Sequence, residues 1–157
     1  MLKPQYQGDH PSVLAKPPLI FFVFIGISFL FKRIYPAELW QGPARAAGLP
    51  LAISGFTLMF ISARLFLKSE TNINPFQPAL KLVTTGPYRF SRNPMYIGLS
   101  MIYAGLAIVW SNPWMLLSLA PLLFVIYFGV IVPEEIYLGK KFGNEYFEYK
   151  KSVRRWV

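Results

Sequence analysis

The chain lacks cysteine, and its 157 residues include a single histidine, His10. Without cysteine it has no disulfide, no thiolate nucleophile and no thiolate-containing zinc site. A lone histidine also argues against a Ser-His-Asp triad, so we expect neither a metal site nor that form of nucleophilic catalysis. The sequence contains no glycine-rich Rossmann turn and no Gly-Lys-Ser/Thr loop, which excludes two common ways of binding a nucleotide.

Charge is also scarce, because Asp, Glu, Lys and Arg make up 15% of the chain, against about 25% in soluble domains. The hydrophobic share is 54%, and it is concentrated in long blocks. We therefore predict an all-α, polytopic membrane protein that forms a single domain over residues 1–157. Four transmembrane spans are expected, at about 17–34, 49–67, 95–110 and 113–132.

The first apolar block, residues 19–31, is the shortest and has the length of a signal-peptide core. However, Lys32 and Arg33 follow it in place of a small-residue cleavage site. Pro17 is a favourable first residue for a helix, and the two cations can reach lipid headgroups from the other end. With these flanking residues the block is long enough to be interpreted as a span.

The third and fourth predicted spans are joined by two residues, Ser111 and Asn112. So short a link makes the two spans an antiparallel helical hairpin. Pro121 lies within the fourth span and predicts a kink, and Pro133 is expected to mark the end of that span. The hairpin places the start of the third span and the end of the fourth at the same membrane face.

Residues 133–157 show a helical periodicity. Apolar and aromatic side chains recur there at intervals of three and four, which predicts one amphipathic helix at the membrane interface. The residues on this face are Leu138, Phe142, Tyr146, Tyr149, Val153 and Trp156. The opposite face carries the cations Lys140, Lys141, Lys150, Lys151, Arg154 and Arg155.

Basic residues outnumber acidic ones by 16 to 7, which gives a formal charge of +9. The cations flank the apolar spans, so we expect contact with the bilayer and its anionic lipid headgroups, and no nucleic-acid partner. With four spans, both termini and the 68–94 loop share one side with most of the cations, including Lys3. The other side has Lys32, Arg33 and Arg45. By the positive-inside rule, both termini are predicted to be cytoplasmic.

Two polar groups stand at the ends of the hairpin. Residues 86–96 contain two arginines, two tyrosines and an asparagine, and Glu134-Glu135 follows the fourth span. Carboxylates at the end of an apolar span are costly unless paired, so we expect the arginines and glutamates to meet at the cytoplasmic face. The residues leave two interpretations open: a functional site, or ion pairs that only pin the hairpin.

Three motifs lie in residues 80–157. The first is Leu82-Val83-Thr84-Thr85-Gly86-Pro87-Tyr88, and the second is Arg92-Asn93-Pro94-Met95-Tyr96. The third is Glu134-Glu135, followed by Phe142-Gly143, Tyr146 and Tyr149. In order and spacing they resemble the C-terminal half of the isoprenylcysteine carboxyl methyltransferase family, which is similar in turn to the phospholipid N-methyltransferases.

The resemblance implies an S-adenosylmethionine-dependent methyltransferase whose pocket, formed by segments 80–96 and 133–157, lies on the cytoplasmic side. The residues that would bind the cofactor are Leu80, Lys81, Leu82, Val83, Gly86, Tyr88, Arg89, Asn93, Pro94, Met95, Tyr96, Glu134, Tyr146 and Tyr149. The catalytic candidates are Arg92, Asn93, Glu134 and Glu135. Arg89, Arg92 or Arg154 would hold the cofactor's carboxylate, and Glu135 would accept a proton from an amine acceptor. Tyr146 and Tyr149 would either form a lid or only pack.

Two positions differ from the family's pattern. Asn93 replaces its histidine, and residues 128–133 contain no cation where its carboxyl methyltransferases have an arginine. The expected acceptor is lipophilic: an isoprenylated cysteine carboxylate, a phospholipid or other lipid amine, or a small thiol. Two other classes stay open. One is a non-catalytic membrane protein that binds anionic lipid, and the other is a reductase similar to membrane sterol reductases, although no feature favours a nicotinamide.

Overall fold

The structure, a computed structural model, describes residues 10–156, and all the regular secondary structure in them is helical, as predicted. Residues 1–9 and 157 lie outside this description, and with them the predicted cytoplasmic cation Lys3. The helices are α1 (Pro17–Ile34), α2 (Gly48–Lys68), α3 (Pro94–Val109), α4 (Pro113–Ile126), α5 (Val132–Phe142) and α6 (Asn144–Ser152). Short 3-10 turns, Gly42–Ala47 and Gly86–Arg89, precede α2 and α3, and a π-helical turn, Tyr127–Ile131, joins α4 to α5.

Proline sets the start of three helices. Pro17, Pro94 and Pro113 lie in the first turn, where the absence of an N–H costs no helical hydrogen bond and the fixed φ suits the helix. Asn112 also caps α4, because its side-chain oxygen accepts a hydrogen bond from the Trp114 N–H at 3.1 Å. The bounds of the first three predicted spans match those of the helices α1, α2 and α3 to within one residue at each end.

Three helical stretches in residues 10–156 are long and apolar enough to cross a membrane: Pro17–Ile34, Gly42–Lys68 and Pro113–Phe142. α3 is also apolar, but its 16 residues extend for only about 24 Å, less than the ~30 Å of a hydrocarbon core. Large apolar side chains such as Phe22 and Leu117 are 70% and 66% exposed, as lipid-facing residues are. The described chain is thus a multi-pass helical protein with three candidate spans, and the span predicted at 95–110 stays a prediction.

α2 and α3 pack with their backbones in contact along a row of glycines. Gly48 and Gly55 on α2 face Gly105 and Gly98 on α3. A Cβ atom at Gly55 would lie 2.6 Å from the Gly98 carbonyl oxygen, which is too close for any other residue type. Ser62 continues the row on α2 and is fully buried. The interval from Gly48 to Gly55 is close to two helical turns, so the small residues share one face.

α3 also packs against α4 and α1. A buried hydroxyl cluster links these three helices, with the Ser118 hydroxyl 2.6 Å from that of Tyr103 and 2.9 Å from that of Ser28. The surrounding core is apolar and includes Ile20, Phe21, Ala107, Met115, Leu122 and Ile126. The hydroxyl groups satisfy one another, which is how polar groups are accommodated in an apolar core.

The helix of the span predicted at 113–132 does not end at residue 132. α4 continues through the π-helical turn into α5, so the helical stretch runs to Phe142. Pro133 cannot donate to the Gly129 carbonyl four residues earlier, but the backbone N–H of Leu14 donates to that oxygen at 2.8 Å. The segment before α1 therefore replaces the missing hydrogen bond, and a proline that predicts a stop lies inside a continuous helix.

The prediction of one continuous amphipathic helix over residues 133–157 is also wrong. The helix is interrupted at Gly143, whose φ of +53° lies in the left-handed region that glycine adopts freely. Tyr137, Tyr146 and Tyr149 are buried. The aromatic side chains of α5 and α6 therefore pack onto the protein, while cations such as Lys151 stay exposed.

Candidate active site

A cavity lies where the 72–83 loop, the start of α3, and the helices α5 and α6 meet. It encloses about 870 Å³ of empty space, its open mouth included. Apolar residues such as Phe66 and Leu138 form parts of its wall, and several arginine, tyrosine and glutamate side chains converge on it. Within residues 10–156 no cluster of His, Asp and Glu is suited to a metal ion.

Twelve of the sequence-predicted residues line this cavity: Lys81, Leu82, Val83, Tyr88, Arg92, Asn93, Met95, Tyr96, Glu134, Glu135, Tyr146 and Tyr149. Leu80, Gly86, Arg89 and Pro94 are not part of the lining. Leu80 is 59% exposed, and Arg89 is also exposed. Gly86 has a φ of +59° in the turn that precedes Tyr88, and a Cβ there would lie 2.7 Å from the Leu65 side chain.

Other lining residues were not predicted by the motifs. They include Asn72, Asn74 and Gln77 of the 72–79 loop, Phe66 at the end of α2, and Tyr137 on α5. The Tyr137 hydroxyl accepts a hydrogen bond of 3.1 Å from the backbone N–H of Ala79, which ties the loop to α5. The asparagines and prolines of 72–78 indicate a loop. Nothing in their spacing indicates that this loop covers a site.

Tyr88 presents a buried hydroxyl to the cavity. Its ring packs against Phe66, with centroids 5.4 Å apart, and its carbonyl accepts a hydrogen bond of 2.7 Å from the Tyr149 hydroxyl. The residue is 4% exposed, and this burial raises the pKa of its hydroxyl far above the ordinary tyrosine value. The protonated hydroxyl has no hydrogen-bond partner among the described residues.

Arg92 is the second buried donor on the cavity wall. Its side chain is 8% exposed, and Nη2 donates to Glu135 at 3.0 Å while Nη1 donates to the Lys150 carbonyl at 3.1 Å. Its Nε is buried and has no partner within residues 10–156. An unpaired buried donor costs roughly 1–3 kcal/mol, so a hydrogen-bond acceptor beside the Tyr88 hydroxyl or the Arg92 Nε–H would be stabilising.

Glu135 is surrounded by three cations. Its Oε1 accepts hydrogen bonds from Arg92 and, at 2.8 Å, from Nε of Arg155, and its Oε2 accepts one from Nη2 of Arg155 at 2.7 Å. Lys150 Nζ lies 3.8 Å from Oε2. The hydrogen bonds to Glu135 raise the pKa of Arg155 above its ordinary value. Arg155 was absent from the predicted site, because nothing in its spacing from Glu135 indicates the contact.

The segment that follows α6 lies behind the start of α3. The Arg154 carbonyl accepts a hydrogen bond of 2.9 Å from the Arg92 N–H. The Arg155 carbonyl accepts one of 3.1 Å from the Ser91 hydroxyl and one of 3.0 Å from the Asn93 side-chain amide. Asn93, a catalytic candidate by its motif, thus uses its amide group to hold this C-terminal segment.

Glu134 differs from its neighbour. It is half-buried, and its Oε1 accepts a hydrogen bond of 2.8 Å from the Tyr96 hydroxyl. No cationic nitrogen in the described part of the chain lies within 4.0 Å of its carboxylate. The predicted meeting of residues 86–96 with the glutamate pair is confirmed by these contacts. Glu135 is neutralised by cations, whereas Glu134 presents an unpaired carboxylate to the cavity.

A sequence model described as phospholipid methyltransferase matches residues 43–145. The chain belongs to this family. It is 31% identical over 133 residues to the protein-S-isoprenylcysteine O-methyltransferase of Rattus norvegicus. This alignment covers 81% of the present chain and 46% of the rat protein. It is 35% identical over 76 residues to protein-S-isoprenylcysteine O-methyltransferase A of Arabidopsis thaliana, which covers 48% of this chain and 39% of that protein.

The Saccharomyces cerevisiae protein-S-isoprenylcysteine O-methyltransferase is 38% identical over 72 residues, which is 46% of this chain and 30% of the yeast protein. The chain thus spans less than half the length of each of these relatives. No solved structure shows a significant match. The family resemblance inferred from the three motifs is confirmed. The region matched by the family model contains Arg92 and both glutamates but ends before Arg155.

Proposed function

We propose that the chain is a membrane methyltransferase that uses S-adenosylmethionine to methylate a lipophilic acceptor. One observation carries the proposal. The residues that line one cavity include two with a buried donor that has no partner among the described residues, Tyr88 and Arg92, and one with a carboxylate that has no described cation within 4.0 Å, Glu134. S-adenosylmethionine has the complementary groups, an anionic carboxylate at one end and cationic ammonium and sulfonium groups nearby.

The residues present fit this cofactor. The Arg92 Nε–H and the Tyr88 hydroxyl would bind its carboxylate, and hydrogen bonds from a charged donor to a carboxylate are among the strongest in proteins. Glu134 would attract the cationic groups, and the faces of Tyr88 and Tyr96 would contribute cation–π attraction. The hydrogen bonds from Arg92 and Tyr88 would satisfy two donors that have no partner among the described residues.

When bound, S-adenosylmethionine supplies a methyl group that is transferred to a nucleophile by in-line displacement. The protein's contribution is then to position the reactants and exclude water. Phe66, Leu82 and Leu138 provide apolar walls on which a lipophilic acceptor can rest. Tyr146 and Tyr149 lie in the lining and would close the cavity over the bound molecules.

An amine acceptor must lose a proton, and we assign this proton to Glu134 rather than to Glu135. Glu135 has both oxygens held by cations, which lowers its basicity. Glu134 has one hydrogen bond from Tyr96 and faces the cavity. A carboxylate or thiolate acceptor needs no base, because its negative charge is consumed as the methyl–oxygen or methyl–sulfur bond forms.

Two acceptor classes are supported by the comparisons. The names of the relatives point to an isoprenylated cysteine carboxylate, and the description of the family points to a phospholipid amine. We propose four membrane spans, with α3 crossing the membrane in addition to the three candidate spans. We also propose a site at the cytoplasmic face, where most of the cations would contact anionic headgroups. The acceptor would then reach the cavity from the bilayer.

Calorimetric titration of the detergent-purified protein tests the cofactor. We expect saturable binding of S-adenosylmethionine and no binding of NADPH. If S-adenosylmethionine does not bind at millimolar concentration, the methyltransferase proposal is wrong and the non-catalytic alternative is favoured. Binding of NADPH would instead favour a reductase.

A second experiment identifies the acceptor. The protein is incubated with methyl-labelled S-adenosylmethionine in three separate reactions. Each contains one acceptor: a farnesylated cysteine, phosphatidylethanolamine vesicles or an apolar thiol. We expect label in the product of one acceptor class. Glu134→Gln should lower the rate of methyl transfer to the amine more than the rate of transfer to the carboxylate, because only the amine requires a base.

A further inference from the structure

Arg155 occupies most of the hydrogen-bonding capacity of Glu135. It donates to both carboxylate oxygens, from Nε at 2.8 Å and from Nη2 at 2.7 Å, in the two-point arrangement that is characteristic of arginine–carboxylate pairs. The Glu135 side chain is 8% exposed, so water does not compete freely for it. Arg92 is left with one hydrogen bond to Oε1.

This division determines what Arg92 can offer to the cavity. A free carboxylate beside Arg92 would favour a two-point contact of its own, and such a contact can engage the Nε–H. Because Arg155 already holds Glu135 in this way, Arg92 contacts it through Nη2 alone and places Nη1 on the Lys150 carbonyl. The Nε–H then remains without a partner within residues 10–156.

Arg155 is itself fixed in place. Its Nη1 donates to the Tyr127 hydroxyl, and its guanidinium lies 4.9 Å from the centre of the Tyr127 ring. Its carbonyl accepts hydrogen bonds from Ser91 and Asn93. The side chain is 27% exposed, and it does not line the cavity. It therefore reaches the site only through Glu135 and the backbone at the start of α3.

We propose that Arg155 is a positioning residue for cofactor binding: by holding both oxygens of Glu135, it keeps the Nε–H of Arg92 available to a carboxylate in the cavity. The inference rests on the proposed function, since it assumes that the cavity binds S-adenosylmethionine. It adds a residue outside the three motifs and beyond the region that matches the family model. It also gives the segment after α6 a role in the site.

The test compares Arg155→Gln with Arg154→Gln, two adjacent substitutions that remove the same charge. The Arg154 side chain is exposed and makes no hydrogen bond or ion pair with residues 10–156, and its carbonyl, which accepts from the Arg92 N–H, is retained in the variant. We expect the dissociation constant for S-adenosylmethionine to rise about tenfold in Arg155→Gln, which is typical of coupled neighbours, and to stay unchanged in Arg154→Gln. Calorimetry reports affinity and stoichiometry separately, so unfolded protein lowers the stoichiometry and does not mimic weaker binding.

A double-mutant cycle tests the route through Glu135. If Arg155 acts through this carboxylate, adding Arg155→Gln to Glu135→Gln should weaken binding by much less than it does alone. If Arg155→Gln does not purify as folded protein, Arg155→Lys is used, because it keeps the charge but lacks the planar fork. It is then also expected to bind more weakly than wild type.

The outcomes separate the two proposals. If wild-type protein does not bind S-adenosylmethionine, the proposed function fails. If wild type binds and the Arg155 variant has the same affinity, the positioning role is wrong and the proposed function stands. Equal weakening in the Arg154 and Arg155 variants would also overturn it, because the effect would then come from net charge. Additive effects in the cycle would exclude action through Glu135.

Discussion

The Tyr96 hydroxyl donates a hydrogen bond of 2.8 Å to the carboxylate of Glu134, across 38 residues of sequence. Tyr96 is in the first turn of α3 and Glu134 in the first turn of α5. The bond therefore joins the two arms of the hairpin at the cavity. It fixes the position of a carboxylate that has no cation within 4.0 Å in the described part of the chain.

Tyr96→Phe removes this bond and leaves the ring in place. We expect the free energy of unfolding to fall by about 1 kcal/mol, the usual net value of a hydrogen bond. Thermal or denaturant unfolding in detergent measures the change. Tyr35→Phe is the control, because Tyr35 is 58% exposed and should tolerate the substitution. Equal changes in the two variants would show that the Tyr96–Glu134 contact contributes nothing to stability.

Glu134→Gln keeps the size of the side chain and its ability to accept the Tyr96 hydrogen bond, but it removes the negative charge. We expect affinity for S-adenosylmethionine to fall by at least about tenfold, since a charge-assisted contact is lost. Calorimetry on folded protein measures this loss. Glu145→Gln removes an exposed charge at the start of α6 and should have no effect. Unchanged binding in Glu134→Gln would make Glu134 a structural residue.

Gly55→Ala places a Cβ atom 2.6 Å from the Gly98 carbonyl oxygen, so α2 and α3 must move apart. Overpacking of this kind typically destabilises a protein by about 1–3 kcal/mol. Gly26→Ala is the matched control on α1, where a Cβ would meet nothing within 4 Å. Since alanine is the better helix former, the control should be neutral or slightly stabilising. The melting temperature of Gly55→Ala should therefore fall, while that of Gly26→Ala should stay the same or rise slightly.

Alkaline pH should destabilise the fold around the buried tyrosines. Burial raises the pKa of Tyr149 from 10.0 to about 12, and it also raises the pKa values of Tyr88 and Tyr146. A folded-state pKa above the unfolded value means that the protonated form is favoured by folding. This contribution is complete below pH 10 and is lost as the pH rises through about 12.

The measurement is the unfolding midpoint as a function of pH, from neutral pH to about pH 12. Tyr149→Phe loses the hydrogen bond to the Tyr88 carbonyl and should be less stable than wild type at neutral pH. Its stability should then fall less steeply with pH, because one titrating group is gone. Parallel curves for the two proteins would contradict the role of Tyr149.

The sequence predicts most of the helices, because the signals are local. Apolar blocks mark α1, α2 and α3, and Pro17, Pro94 and Pro113 lie in the first turns of their helices. The continuity of α4 with α5 is not predictable in this way. It depends on a hydrogen bond from Leu14, far away in the sequence, to the carbonyl that Pro133 leaves free.

Part of the site is also predictable from local signals. The two-residue link of the hairpin brings two segments together, and the motifs mark Tyr88, Arg92, Tyr96 and the glutamate pair within them. The position of Arg155 is not predictable, since its contact with Glu135 requires the helix to be interrupted at Gly143 and the chain to return after α6. The same is true of the 72–79 loop, whose composition indicates only a turn-rich connection.

The position of Arg155 has a consequence for biosynthesis. Arg92 and Glu135 are translated before Arg155, which follows Glu135 by 20 residues. A polypeptide released before residue 155 would therefore contain α3 to α6 but lack the side chain that holds both oxygens of Glu135. Its cavity would keep every residue of the three motifs and still lack the contact that fixes Glu135.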